Sequence, residues 1–125
     1  MKNFLHALLL STLALALSNA HGHGISDPQH GGIVEAGGDM SIELVNGEGQ
    51  IDIYVMNDDA GAATENMSGK IKVDTGEEKY EVALEPAGDN ALVAKTGRLP
   101  QGSQAFVIIT LPNGYSKVAA KFEIE

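Results

Sequence analysis

From residue 33 onward the recurring period of apolar side chains is two rather than 3.6, and no stretch of ten residues carries a helical stripe. Met40, Ile42 and Leu44 alternate with Ser41 and Glu43. Asn46-Gly47-Glu48-Gly49 then supplies turn chemistry, and Ile51, Ile53 and Val55 alternate with Asp52 and Tyr54, which predicts a hairpin. The pattern breaks at Asn57-Asp58-Asp59-Ala60-Gly61, and residues 62–69 have no clear period. It resumes over Lys70 to Asp74, turns at Thr75-Gly76 and returns through Tyr80, Val82 and Leu84. Leu92 and Ala94 predict a short strand. Residues 105–111 (AFVIITL) form a continuous apolar run, which predicts a strand buried on both faces. Pro112-Asn113-Gly114 turns into a last strand with Val118, Ala120, Phe122 and Ile124 on one side.

About seven or eight short strands separated by regular turns predict an all-β fold, a single antiparallel β-sandwich of immunoglobulin-like type. A small β-barrel is the alternative, because alternation does not distinguish the two closures. The chain has no cysteine and no tryptophan, so the immunoglobulin hallmarks are missing and the fold uses neither disulfide nor thiolate ligand. An apolar core must hold it together, and a chain of about 100 residues can supply one.

The first twenty residues read as an export signal. Met1-Lys2 is a short positive start, Phe4 to Leu17 an apolar stretch too short to span a bilayer, and Ser18-Asn19-Ala20 a small-residue cleavage site. The expected organisation is a signal peptide at 1–20, a His/Gly-rich arm at 21–32, flexible or docked on a sheet edge, and a β-sandwich domain at 33–125. Export places the mature protein in the periplasm or outside the cell, with no membrane span after cleavage. The formal net charge of −9 becomes more negative once Lys2 is removed. That sign argues against nucleic acid or an anionic membrane surface as partner.

Three of the four histidines, His21, His23 and His30, lie in the arm, and the remaining one, His6, lies in the signal segment. Cleavage after Ala20 would start the mature chain at His21-Gly22-His23. A free amine followed by histidine at the third position can chelate in one plane through the amine, the backbone amides and the His23 imidazole. That tetragonal nitrogen geometry selects Cu(II), then Ni(II). A second mode uses the amine and ring of His21 with His23 or His30 completing a T-shaped brace. A third needs no free amine: His21 and His23, on one side of an extended chain, join His30 and Asp27 in a site suited to zinc, with Asp27-Pro28 turning His30 back toward the pair. Against all three stands a solvated tail that binds metal only incidentally, with His30 hydrogen-bonding backbone where the first strand begins. Met40 shares parity with Ile42 and Leu44 and reads as core, whereas Met56 and Met67 are the candidates for soft Cu(I) ligands, with core filling the better reading.

Two resemblances bear on this arm. The His-x-His start and the sandwich resemble exported copper-binding β-sandwich proteins of the copper-resistance C type, although no histidine after His30 supplies that group's other ligands. Residues 28–45, PQHGGIVEAGGDMSIELV, resemble the opening of small β-domains in bacterial heavy-metal efflux adaptor proteins. The adaptors' long helical hairpin and further barrels have no counterpart here. That likeness implies a periplasmic accessory to metal handling, with His30 as the transferable residue and an efflux or metal-handling protein as partner.

Catalysis finds little support. Arg98 is the only arginine, no histidine lies in the domain body to act as a base, and the carboxylates are scattered over turns and outward strand positions. The expectation is therefore not an enzyme but a metal-binding protein, with copper favoured and zinc or nickel as alternatives. A metal-independent interaction module of the cell envelope is the competing reading.

Overall fold

The alternation resolves into nine antiparallel strands in a computed structural model that describes residues 25–125. They are β1 (Ile33–Gly37), β2 (Met40–Asn46), β3 (Ile51–Asn57), β4 (Ala60–Gly61), β5 (Ser68–Asp74), β6 (Lys79–Pro86), β7 (Ala91–Ala94), β8 (Gln104–Thr110) and β9 (Lys117–Glu123). The described residues contain no helix. The signal segment and the arm residues His21 and His23 lie outside them.

Turn chemistry sets the register of each hairpin. Gly38, with φ of 60°, and Asp39 link β1 to β2 between the paired residues Gly37 and Met40. Asp58 and Asp59, with φ of 50° and 65°, form a two-residue link between Asn57 and Ala60, the left-handed pair that a tight hairpin with native strand twist requires. The expected β2–β3 hairpin closes with the Gly47 amide donating to the Gln50 carbonyl at 3.1 Å.

The strands follow one hydrogen-bonded path, β1-β2-β3-β7-β6-β5-β8-β9, with β4 attached to β3. β6 is the corner: Lys79 to Leu84 pair with β5, whereas Glu85 and Pro86 pair with β7. Because one strand serves both halves, the sheet is continuous and rolls nearly into a barrel, the alternative closure, rather than two separately bonded layers. Its two ends, β1 and β9, approach without pairing. The approach is close enough that a Cβ on Gly37 would sit 3.3 Å from the Ala119 carbonyl oxygen.

Inside lie Ile42, Leu44, Ile53, Val55, Ile71, Leu92, Val107, Ile109 and Phe122, one face of each strand. Met67 belongs to this core. Met56 is on the opposite face of β3, paired with Ser41, yet is buried. Neither thioether is open to solution, so the soft-ligand reading of these two is not supported.

One strand departs from expectation. β8 is buried on one face only: Ala105, Val107 and Ile109 point inward, whereas Phe106 is 38% exposed and Ile108 half-buried. The reason is the sheet around it. Lys72 and Lys121 flank Phe106 in register, and the Lys121 ammonium lies 5.8 Å from the ring centroid, so charged neighbours cover the outward ring instead of a second layer. Phe122→Ala is therefore expected to lower unfolding stability by about 3–5 kcal/mol. Phe106→Ser should change it by no more than about 1 kcal/mol. Urea titration of both variants checks the assignment of inner and outer faces.

Candidate functional site

Alternation assigns Ser41 and Glu43 to the outer face of β2, where solvent would be expected. Both are buried, Glu43 to 0% exposure. The covering element is the segment just before β1. The Ser26 amide donates to Ser41 Oγ at 3.0 Å, and a little further along the strand the chain closes over Glu43. The Gln29 amide donates to Glu43 Oε1 at 3.0 Å, and the amides of His30 and Gly32 donate to Oε2 at 2.9 Å each. The His30 ring adds a fourth contact, Nδ1 to Oε1 at 3.1 Å. Residues 25–32 are thus docked, and on a sheet face rather than on its edge.

This clasp explains the pair of glycines that follows His30. Gly31 has φ of 73°, a backbone conformation that lets the amides on either side of it converge on one carboxylate. At Gly32 a Cβ would run into the Leu44 carbonyl, because the chain passes directly against β2 there. His30-Gly31-Gly32 is therefore a structural unit: one residue to bond the carboxylate and two to let the backbone reach it.

Burial by itself would push the Glu43 carboxyl up. The amides of Gln29, Gly32 and His30, together with the His30 ring, outweigh it and hold the carboxyl below its ordinary range. An ionised carboxylate only accepts hydrogen bonds, so His30 Nδ1 is the donor, and the carboxylate fixes the ring's tautomer. Tyr54 lies opposite Glu43 on β3, and its ring stacks on His30 with centroids 3.5 Å apart and planes 3° from parallel. Burial raises the Tyr54 phenol, with the charges of Asp52 and Glu43 adding to it, so it stays neutral. The clasp engages Nδ1; among the described residues Nε2 has no hydrogen-bond partner, and on a side chain 39% exposed its lone pair in the neutral ring can be offered to a ligand.

Of the residues expected to bind metal, His30 is in this site. Asp27 is exposed and does not join it: among the described residues no three histidine, aspartate or glutamate side chains converge. The expected set of His21, His23, His30 and Asp27 includes two residues that lie outside the described ones. The expectation that His30 bonds backbone is also corrected in part, since its ring bonds a carboxylate and its own amide bonds the same group. Glu43 and Tyr54 escaped sequence reasoning. Their signal was faint: a carboxylate at an outward strand position thirteen residues after His30, and an aromatic facing it across the hairpin.

A groove of about 400 Å³ elsewhere, lined by Lys72, Asp74, Lys79, Tyr80, Glu81 and Phe106, has its charges paired internally, Lys72 with Glu81 at 3.7 Å and Lys79 with Asp74 at 3.8 Å. No family model, no curated protein and no solved structure matches the chain.

Since the native Glu43 carboxyl titrates below its ordinary range, the clasp contributes fully above that range, and its contribution disappears as pH falls through the depressed native value. Glu43→Ala should lower stability at neutral pH by on the order of 3 kcal/mol, because charged hydrogen bonds are lost and amides are left to find water. It should also flatten the acid limb of the stability–pH curve. Urea unfolding at stepped pH, with a chelator present, measures both.

Proposed function

We propose that the chain is an exported metal-binding protein of the periplasm that buffers or delivers a transition-metal ion through the histidines of its N-terminal arm. The observation supporting this most directly is the clasped imidazole. His30 Nδ1 is bonded to a buried carboxylate, the partner arrangement that metal-ligating histidines use, and among the described residues its Nε2 has no hydrogen-bond partner. The arm that carries His21 and His23 leads directly into this docked segment.

The donor chemistry suits a nitrogen-preferring ion. Glu43 spends both oxygens on four hydrogen bonds, so it is not offered as a hard oxygen ligand of the kind calcium or magnesium takes. Imidazoles and an N-terminal amine favour Cu(II) first, with zinc or nickel as alternatives. The reading is one of binding rather than catalysis. Among the described residues no helix is long and apolar enough to cross a membrane. The competing reading, an envelope interaction module, draws on the edges of β1 and β9, which are unpaired among the described residues. The β9 edge carries Lys117 and Lys121, a common guard against strand addition, which weighs against it.

Native mass spectrometry of protein exported and matured in a bacterial periplasm, with copper and zinc supplied, tests the proposal. The expected species starts at His21 and carries one copper, with occupancy lost in the His21→Ala/His23→Ala variant and weakened in His30→Ala. A mass that stays metal-free through micromolar copper titration would sink the metal reading and leave the interaction module.

A further inference from the structure

We infer that Glu43 is the positioning residue of the metal site: it commits His30 to ligating through Nε2 and fixes the direction in which that nitrogen is presented. The consequence for metal rests on the reading proposed above, whereas the geometry does not.

Three features of the clasp carry the inference. First, the carboxylate is saturated. Oε1 accepts from the Gln29 amide and His30 Nδ1, and Oε2 from the amides of His30 and Gly32. A carboxylate has about four lone-pair sites, so none is left over, and Glu43 acts on an ion through His30 rather than as a ligand. Second, the other tautomer is disfavoured. With hydrogen on Nε2, the Nδ1 lone pair would face a carboxylate oxygen at 3.1 Å, two acceptors in contact without a proton between them. Third, the ring cannot escape by turning over. A flip exchanges Nδ1 for a carbon and forfeits the bond, and Tyr54 stacked at 3.5 Å restricts any tilt. The His30 amide is on the same carboxylate at 2.9 Å, so backbone and ring are fixed by one group.

A nitrogen held this way enters coordination with its side-chain ordering already complete. Outer partners of this kind are worth about 10–100-fold in metal affinity. A clasp serving only to dock the arm would alter stability and leave affinity in the folded protein unchanged, which separates the two roles.

The test uses the full mature chain. Long-range proton–nitrogen NMR of the metal-free wild type reads the His30 tautomer directly, and hydrogen on Nδ1 is expected. Titration with Zn(II), and with Cu(II) followed by calorimetry, should show Glu43→Gln weakened by about 10–100-fold with stoichiometry unchanged. In a His30→Ala background the same substitution should have no further effect on affinity. If Glu43→Gln fails to fold, the wild-type tautomer still decides the geometry. In the neutral wild-type ring, hydrogen on Nε2 and not on Nδ1, or unchanged affinity in folded Glu43→Gln, overturns the inference while leaving metal binding in place. Failure of the wild type to take up either ion overturns both.

Discussion

A carboxylate without solvent exposure has to be compensated within the protein, and much of the N-terminal structure follows from how Glu43 solves that. An ion taken out of water loses several kcal/mol of solvation even after relaxation. Three amides and one imidazole replace the lost water. All four come from residues 29–32, so satisfying the charge and docking the arm are the same event. The docked arm in turn buries Ser41 and Glu43, and β2 becomes covered on both faces although only its Ile42 and Leu44 side reads as core. The cause of the burial and its remedy are mutual: without the arm Glu43 would be an ordinary surface acid, and without Glu43 three amides around Gly31 would lack their shared acceptor.

The barrel contributes the rigid half of this arrangement. Val34 and Tyr54 flank Glu43 in register from β1 and β3, so the carboxylate sits at the centre of a three-strand row. The β2–β3 pairing places the Tyr54 ring where His30 can lie flat on it. The hairpin that does this is pinned at its far end, where the Asn46 side chain exchanges two hydrogen bonds with the Leu99 backbone at 2.9 and 3.0 Å. Parallel stacking of an imidazole on a phenol, with the imidazole hydrogen-bonded in its own plane, leaves little freedom to the ring. Order therefore passes from the sheet to the arm, and the flexible-looking glycines are the means by which the arm conforms.

Local pattern carried the strands and stopped at three points. Ile51, Ile53 and Val55 could be assigned inward because polar residues intervene, and the Asn46–Gly49 turn fixed their partner. Residues 105–111 have no such polar punctuation, and hydrophobicity alone does not say that Phe106 is covered by Lys72 and Lys121 across two neighbouring strands. Closure was equally hidden, since it depends on β6 changing partners between Leu84 and Glu85. At the site, His30 was legible as a concentrated residue type beside two glycines. Glu43 was not, because an acid at an outward strand position looks the same whether water or a folded-back arm receives it. The difference is tertiary.

The same carboxylate separates two roles that an acidic chain could confuse. A formal net charge of −9 draws cations of every kind toward the surface, without preference for chemistry. Selection has to come from donor atoms, and here the best-placed charge is withdrawn from direct coordination by its own hydrogen bonds. Glu43 still contributes its negative field to whatever binds at His30, because saturating lone pairs does not remove charge. On the proposed reading it would favour a cation at the imidazole electrostatically while leaving nitrogen as the contacting atom. A hard ion gains from the field but finds no oxygen there, whereas a borderline ion gains from both field and nitrogen. On the proposed metal-binding reading, placing the charge one shell back would let a protein this acidic, with no thiolate to offer, prefer a transition metal over the far more abundant hard cations.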